Sequence, residues 1–321
     1  VWVRFASGFD LDVTGALVIT GPYGRLDLVK PGTVDLGSLT TGGELHVFAD
    51  AAGTLGPTIG AIVNAAGDIL VLSGGKVSPH SDPTTGGSVL FRADNVTVQA
   101  SGSIDADGLG FAAFEGPGSE QTEVPGSPWF GDACGGGYGG RGGWSSTGQP
   151  GGATYGDETA PTWPGSGAAR SQYGGGSSPG GGLVWIEADG TITIDGIITA
   201  DGLNAPNSHG AGGSGGAIYL IADLLAGSGQ LTATGGGPPA YWESGNAGGG
   251  GRIAMWAFLN SFLGTTDVSP GSYPTGRTPP EVGTVYFGQR TQPGGGEIPE
   301  PASALMLLAG AALVARRRRR A

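Results

Sequence analysis

A glycine pair followed by alternating apolar residues recurs five times in the chain and constrains its fold more than any other feature. The copies are GGELHVFAD (42–50), GGSVLFRAD (86–94), GGLVWIEAD (181–189), GGAIYLIAD (215–223) and GGRIAMWAF (250–258). In each copy the second and fourth residues after the pair are apolar and the sixth is Ala, whereas the residues between them vary. Alternation with a period of two predicts a strand that buries one face and exposes the other.

The spacing of these copies predicts stacked units. The copies that begin at residues 181, 215 and 250 are 34 and 35 residues apart. A second block of short strands, interrupted by glycine, follows three copies: VTVQASGSIDADG (96–108), ITIDGIITADG (192–202) and LLAGSGQLTATGG (224–236). Short strands that cannot bury a face alone are stabilised when successive units stack. We therefore expect an all-β fold, a right-handed parallel β-helix (solenoid) with three strands in each coil.

Glycine accounts for 69 of the 321 residues and has no triplet period, which excludes collagen. Glycine and proline also interrupt every window long enough for a long helix. Much of this glycine lies in residues 111–180, which include GDACGGGYGGRGGWSSTGQPGG. We expect this segment to be a loop insertion without a core of its own, either packed beside the strands or mobile. Its aromatic residues would hold the glycine loops against the strands or, alternatively, stack on sugar rings: Trp129, Tyr138, Trp144, Tyr155, Trp163 and Tyr173.

The chain divides into three regions by composition. Residues 1–258 form the glycine-rich β-helix with its insertion, and residues 259–297 hold a strand-like GTVYFG followed by a Pro/Gly linker. Residues 298–321 form a tail of different character. The chain starts at Val1 inside a strand-like sequence, without the pattern of a secretory signal, so we expect further residues upstream.

The body is acidic, which argues against nucleic acid as a partner. The chain has 15 Lys and Arg and 27 Asp and Glu; five and one of them, respectively, follow residue 298, which leaves 10 and 26 before it. A strongly negative body repels phosphate groups. The single cysteine, Cys134, allows no intrachain disulfide.

The sequence contains no pattern that predicts a catalytic or metal centre. His46, His80 and His209 are far apart and lack the spacing of metal ligands, and His46 lies on the outward face of its strand. The run Asp105-Ala-Asp107-Gly108 lacks the glutamate that an EF-hand loop requires. Four aspartates are expected to form turns beside glycine, with a loose Ca²⁺ contact left open: Asp105, Asp107, Asp195 and Asp201. We predict no catalytic residues, no metal site and no cofactor.

The tail has three parts in a fixed order. Pro299, Glu300 and Pro301 precede a run of 14 apolar residues, 302–315, and a cluster of five arginines follows: Arg316, Arg317, Arg318, Arg319 and Arg320. As a helix the apolar run would be about 21 Å long, which is short for a bilayer core of about 30 Å. The positive-inside rule would keep the arginines in the cytoplasm and place the body outside.

This tail resembles the PEP-CTERM sorting signal of exported bacterial proteins. The resemblance implies that an exosortase, a membrane processing enzyme, recognises Pro299, Glu300 and Pro301 and cleaves near them. It also implies anchoring in the inner membrane by the short helix and the arginines 316–320 before processing, and the cell surface or extracellular matrix afterwards. Exopolysaccharide production often accompanies such systems, which makes exopolysaccharide a candidate partner. The body is similar in style to glycine-rich parallel β-helix regions of bacterial surface proteins.

These observations favour a non-enzymatic, exported structural or surface-associated protein. Two alternatives stay open. One is a carbohydrate-active β-helix enzyme that acts on exopolysaccharide. The other is an adhesin that binds sugar through residues 111–180.

Overall fold

The structure is a computed structural model that describes residues 1–5, 7–119, 133–146, 148–171, 176–239, 246–273 and 278–291. Within these ranges it contains nineteen strands and no helix. In chain order the strands are β1 (Trp2–Phe5), β2 (Leu11–Ile19), β3 (Arg25–Val29), β4 (Thr33–Thr41), β5 (Glu44–Phe48), β6 (Ile59–Ala65), β7 (Ile69–Val71), β8 (Lys76–His80), β9 (Ser88–Ala93), β10 (Val96–Val98), β11 (Ser103–Asp105), β12 (Leu183–Ala188), β13 (Thr191–Ile194), β14 (Ile197–Thr199), β15 (Ala217–Ala226), β16 (Gln230–Thr232), β17 (Arg252–Asn260), β18 (Thr265–Asp267) and β19 (Thr284–Gln289).

The strands form two sheets in which every described pairing is parallel. The eight-stranded sheet has the order β1-β3-β5-β8-β11-β14-β16-β18. The eleven-stranded sheet has the order β12-β9-β6-β4-β7-β10-β13-β15-β17-β19, with β2 paired to β4 and a further pairing between β12 and β15. The chain passes from one sheet to the other and back, so strands that are neighbours in a sheet are distant in the sequence.

The alternation of the motif is confirmed by the burial of its residues. All ten apolar residues and all five alanines of the five copies lie in one hydrophobic core, at most 7% exposed. The parallel register aligns them in columns, as in Val184, Ile218 and Ile253 on β12, β15 and β17. Each fully buried aliphatic side chain of this kind stabilises the fold by about 1.5–3 kcal/mol before entropy is counted.

The predicted right-handed parallel β-helix (solenoid) with three strands in each coil is wrong, because the strands form an eight-stranded parallel sheet and a second sheet of eleven strands. The first motif copy contains β5, which belongs to the eight-stranded sheet, whereas the other four copies contain strands of the eleven-stranded sheet. The strands of the second block are divided as well, because β10 lies in the eleven-stranded sheet and β11 in the eight-stranded one. A period of two specifies which face of a strand is buried but not which sheet it joins. The structure is therefore two parallel sheets of unequal size, and the predicted short C-terminal hydrophobic helix falls outside the described residues.

Of the two expectations for the insertion, its described glycine segments agree with packing beside the strands, because they are buried and hydrogen-bonded. Segments 133–143, 210–216 and 246–251 carry no strand assignment, yet nearly all of their residues are buried. They lie side by side with further glycine-rich segments around 118, 152, 165, 180 and 236, and donate backbone hydrogen bonds to them. We call this set of segments the glycine bundle.

The hydrogen bonds of the glycine bundle repeat every third residue. The N–H groups of Gly248, Gly249 and Gly250 donate to three different segments, and the N–H group of Gly251 returns to the first of them. The accepting carbonyls are, in order, those of Gly236, Gly136, Glu281 and Ala233, at 2.8, 2.9, 3.0 and 2.7 Å. Three residues per turn is the repeat of the polyproline II conformation, which makes no hydrogen bonds within its own segment. Here the neighbouring segments supply those bonds.

Close approach of backbones explains why these positions are glycine. A Cβ atom at Gly137, Gly152 or Gly248 would fall within 3.0 Å of backbone atoms of a neighbouring segment. A side chain there would have to push two hydrogen-bonded backbones apart. Glycine loses more conformational entropy on folding than other residues, and the hydrogen bonds between segments and the dense backbone contact offset that cost.

Aromatic residues hold the glycine bundle against the outer face of the eleven-stranded sheet. Tyr138 is fully buried in a second hydrophobic cluster, and Tyr155 and Trp163 pack against the same cluster. The guanidinium of Arg252, on β17, donates to the backbone carbonyl of Tyr155 at 3.0 Å and lies over the ring of Tyr138. The aromatic residues described here therefore pin the glycine segments to the sheet, whereas Trp129 and Tyr173 lie outside the described residues.

Gly248→Ala should destabilise the protein by at least about 2 kcal/mol, because the new methyl group clashes with backbone atoms of a neighbouring segment. Gly15→Ala is the matched control, since a Cβ at this exposed strand residue meets nothing within 4 Å; its effect should stay within about 0.5 kcal/mol. Thermal unfolding followed by circular dichroism measures both variants. Equal melting temperatures for the two would contradict the close packing of the glycine bundle.

Candidate functional site on the eight-stranded sheet

The outward face of the eight-stranded sheet carries a group of titratable side chains that contact one another. Because Leu45 and Val47 of β5 point into the core, the residues between and beside them point outward. The parallel register then aligns side chains of successive strands on this face. We call this group the polar ladder; it consists of Arg25, Asp27, Glu44, His46, Lys76, His80 and Asp105.

Ion pairs connect the members of the polar ladder. Arg25 Nε lies 2.8 Å from Asp27 Oδ1, and Arg25 Nη1 lies 3.7 Å from Glu44 Oε2. Lys76 Nζ is paired with Asp105 Oδ2 farther along the sheet. The side chain of Asp27 is only 3% exposed and also accepts a hydrogen bond from Trp2 Nε1 at 3.2 Å. Burial acts to raise the pKa of Asp27, but the hydrogen bonds from Arg25 and Trp2 and the charge of Arg25 together lower it.

Two histidines form a hydrogen-bonded pair in this group. His46 Nδ1 and His80 Nε2 are 3.0 Å apart, and the His80 ring stacks on Phe48 with ring centroids 3.9 Å apart. Burial, followed by the charge of Arg25, lowers the pKa of His46. Burial, followed by the proximity of His46, lowers the pKa of His80 to about 4. Both imidazoles are therefore neutral at pH 7, and one donates the shared proton to the other.

The sequence analysis missed this pair, and the motif gives no signal for it. The copy that contains His46 begins at residue 42 and the next copy at residue 86, whereas His80 lies between them in β8. The histidines become neighbours because β5 and β8 pair in parallel. His46 is outward, as predicted, but its side chain is shielded rather than freely solvated, and its Nε2 lies 3.5 Å from Glu44 Oε2, too far for a strong hydrogen bond.

Aspartates beside glycine accept backbone N–H groups from the next pass of the chain rather than from their own turn. Asp107 Oδ1 accepts the N–H of Asp201 at 2.7 Å, and Asp201 Oδ1 accepts the N–H of Thr234 at 2.6 Å. Asp195 accepts the N–H of Ser228 in the same way. Burial raises the pKa of Asp107, partly offset by the hydrogen bond from Asp201. Across the described ranges, no three His, Cys, Asp or Glu side chains are grouped as metal ligands.

The interior of the described part of the chain contains a cavity that is too small for a ligand. A void of about 10 Å³ lies between the two sheets, at the lower limit of the volume that holds one water molecule. Its lining is entirely apolar: Ile69, Val77, Phe91, Val96, Ile104 and Ile186. Cys134 is buried beside the carbonyl of Gln149, within the glycine bundle.

Stability should fall as the pH is lowered from 6.5 to about 4. The pKa of His80 is about 4 in the folded protein and near 6.5 in the unfolded chain, so the unfolded chain binds more protons in this window. Aspartates with a lowered pKa, such as Asp27 and Asp157, lose their contribution only at still lower pH. His80→Gln keeps a hydrogen-bonding side chain but cannot titrate, so its melting temperature should change less between these pH values. An unchanged pH dependence would contradict the buried, neutral state of His80.

The predicted sorting residues Pro299, Glu300 and Pro301 and the arginines 316–320 lie outside the described residues. Among the residues that are described, no helix is long and apolar enough to cross a membrane. Comparison of the chain with protein-family models, with curated proteins and with solved structures found no match.

Proposed function

We propose that this chain is a non-enzymatic, exported structural protein that acts at the cell surface or in the extracellular matrix. The observation that carries the proposal is that polar groups of the chain bind one another. The glycine bundle bonds its backbone groups to neighbouring segments, and the polar ladder pairs its charges within the sheet. Such a body is suited to hold its shape rather than to rearrange around a substrate.

The fold supports a load-bearing role through its long-range connections. Neighbouring strands in both sheets come from distant parts of the chain, and aspartate side chains bind backbone N–H groups of the next pass. Opening one segment therefore breaks bonds to several others. The body is strongly acidic, and the chain has a formal net charge of −12. This charge favours hydration, and the repulsion between copies opposes aggregation.

Export is proposed from the tail. An exosortase would recognise Pro299, Glu300 and Pro301, the short apolar run would hold the chain in the inner membrane, and the arginines 316–320 would stay in the cytoplasm. After processing, the body would belong to the cell surface or matrix. Exopolysaccharide is the proposed macromolecular neighbour there, since the negative charge of the body disfavours nucleic acid.

One observation favours a second candidate, an activity on acidic polysaccharide. Arg25 contacts both Asp27 and Glu44, and His46 lies beside them on the outward face of the sheet. Two carboxylates, a guanidinium and an imidazole are residue types that could bind an acidic sugar and move a proton. In the folded protein these groups are engaged with one another, which is why the structural role is the first proposal.

Replacing Pro299, Glu300 and Pro301 together by alanine should leave full-length protein in the inner membrane. The test expresses the chain behind a secretory leader in a bacterium that carries an exosortase, followed by cell fractionation. Gly294→Ala with Gly295→Ala, in the linker before the tail, is the control and should be processed normally. Equal processing of the two variants would refute the proposed sorting signal.

The purified protein should release no product from acidic polysaccharides above the blank. Lyase cleavage would give unsaturated products that absorb ultraviolet light, and hydrolysis would give new reducing ends, so both are measured. If turnover is found and Glu44→Gln abolishes it while the variant unfolds at the same temperature, the second candidate replaces the first. Glu44 suits this test because its side chain is largely accessible, whereas Asp27 is buried.

A further inference from the structure

Two histidines of the polar ladder present ring nitrogens to each other at the spacing of metal ligands. His46 Nδ1 on β5 and His80 Nε2 on β8, the neighbouring strand, are 3.0 Å apart. Two nitrogen atoms that each lie about 2.0–2.1 Å from one metal ion are about 2.9 Å apart when the angle at the metal is about 90°, and about 3.3–3.4 Å apart in a tetrahedron. The distance in this pair therefore matches two adjacent ligands of a square-planar or octahedral ion.

Neighbouring side chains order both rings before any ion binds. The His80 ring stacks on Phe48, its register partner on β5, with ring centroids 3.9 Å apart. The side chain of His46 is 13% exposed, so its ring is shielded but still reached by solvent. Ligands that are already ordered lose little conformational entropy on binding. Both imidazoles are neutral at pH 7, which is the form that binds a metal ion.

The second ring nitrogen of His46 has surroundings that are typical of a metal ligand. Among the described residues, His46 Nε2 is buried without a hydrogen-bond partner, and Glu44 Oε2 lies 3.5 Å from it. A histidine that binds a metal almost always donates its other N–H group to a carboxylate, a backbone carbonyl or water. A small movement of the half-exposed Glu44 side chain would supply that acceptor. With the proton held on Nε2, the lone pair of Nδ1 faces His80.

The charges around the pair favour a cation. Asp27 is the register partner of His46 on β3, and Glu44 lies beside it. Arg25 is the cation in contact with these two carboxylates, at 2.8 Å from Asp27 and 3.7 Å from Glu44. Two carboxylates and one guanidinium leave this part of the polar ladder with a net negative charge. The lysine–aspartate pair farther along the ladder is neutral as a whole.

We propose that His46 and His80 form a binding site for a divalent transition-metal ion, and that Cu²⁺ is the ion that binds most tightly. Imidazole nitrogen suits Cu²⁺, Ni²⁺ and Zn²⁺, Cu²⁺ has the highest affinity of the series, and an angle near 90° suits Cu²⁺ and Ni²⁺ better than tetrahedral Zn²⁺. The ion takes the place of the proton between the rings, and that proton moves to Nδ1 of His80. Water molecules fill the remaining coordination positions.

The site would connect β5 to β8, and an ion that binds only the folded chain stabilises it. This role goes beyond the proposed function and does not depend on it. The expectation of no metal site rested on the separation of the histidines in the sequence, which the parallel pairing of β5 with β8 overcomes. Two side-chain ligands are fewer than a closed structural zinc site has, so we expect an open site.

The test is isothermal titration calorimetry of the untagged full chain with CuCl₂ at pH 7, after a chelator has removed bound metal. The wild-type protein should bind one Cu²⁺ at this site, and Zn²⁺ at least tenfold more weakly. His46→Gln and His80→Gln should each lower the Cu²⁺ affinity at least tenfold. His209→Asn is the matched control, because this histidine lies between β14 and β15 and asparagine tolerates its positive φ; it should bind Cu²⁺ like the wild type.

Electron paramagnetic resonance of the wild-type Cu²⁺ complex identifies the ligands without any variant. The spectrum should show coupling to two imidazole nitrogens, and either histidine variant that folds should lose this signature. Absence of Cu²⁺ binding would overturn the proposal. A spectrum without imidazole nitrogen would also overturn it, and so would equal affinity in the wild type and both histidine variants, since the ion would then bind elsewhere on the acidic surface.

Discussion

The backbone hydrogen bond between segments that are far apart in the sequence is the interaction on which the rest of this structure depends. Both sheets consist of parallel strands from distant parts of the chain, and the glycine bundle repeats the same principle without strands. Gly248 to Gly251 spread their bonds over three neighbours, so each segment is held from several sides. Side chains would break this arrangement, because the backbones lie too close for a Cβ atom.

Aromatic and charged residues add side-chain contacts to these backbone hydrogen bonds. Tyr138, Tyr155 and Arg252 fasten the glycine bundle to the eleven-stranded sheet, while the polar ladder occupies the outward face of the eight-stranded sheet. A body constructed in this way pairs its polar groups internally. That property fits the proposed structural element of a surface or matrix.

Part of this structure could be predicted from the sequence, and particular residues show why the rest could not. The alternation in GGLVWIEAD identified Val184, Ile186 and Ala188 as core residues, because a period of two determines the buried face. The same pattern could not show that Leu45 and Val47 belong to a different sheet, since both sheets bury their strands alike. The glycine bundle was missed because its stability comes from backbone contacts that leave no side-chain pattern. The His46–His80 pair was missed because His80 lies outside the motif copies, so the repeat does not align it with His46.

Hydrogen exchange measured by mass spectrometry tests the central claim most directly. The amides of Gly248 to Gly251 should exchange as slowly as those of β15 and β17, because their N–H groups are buried and bonded to neighbouring segments. Residues 52–56, an accessible loop between β5 and β6, provide the fast reference within the same molecule. Exchange of the glycine segment at the rate of that loop would contradict the account.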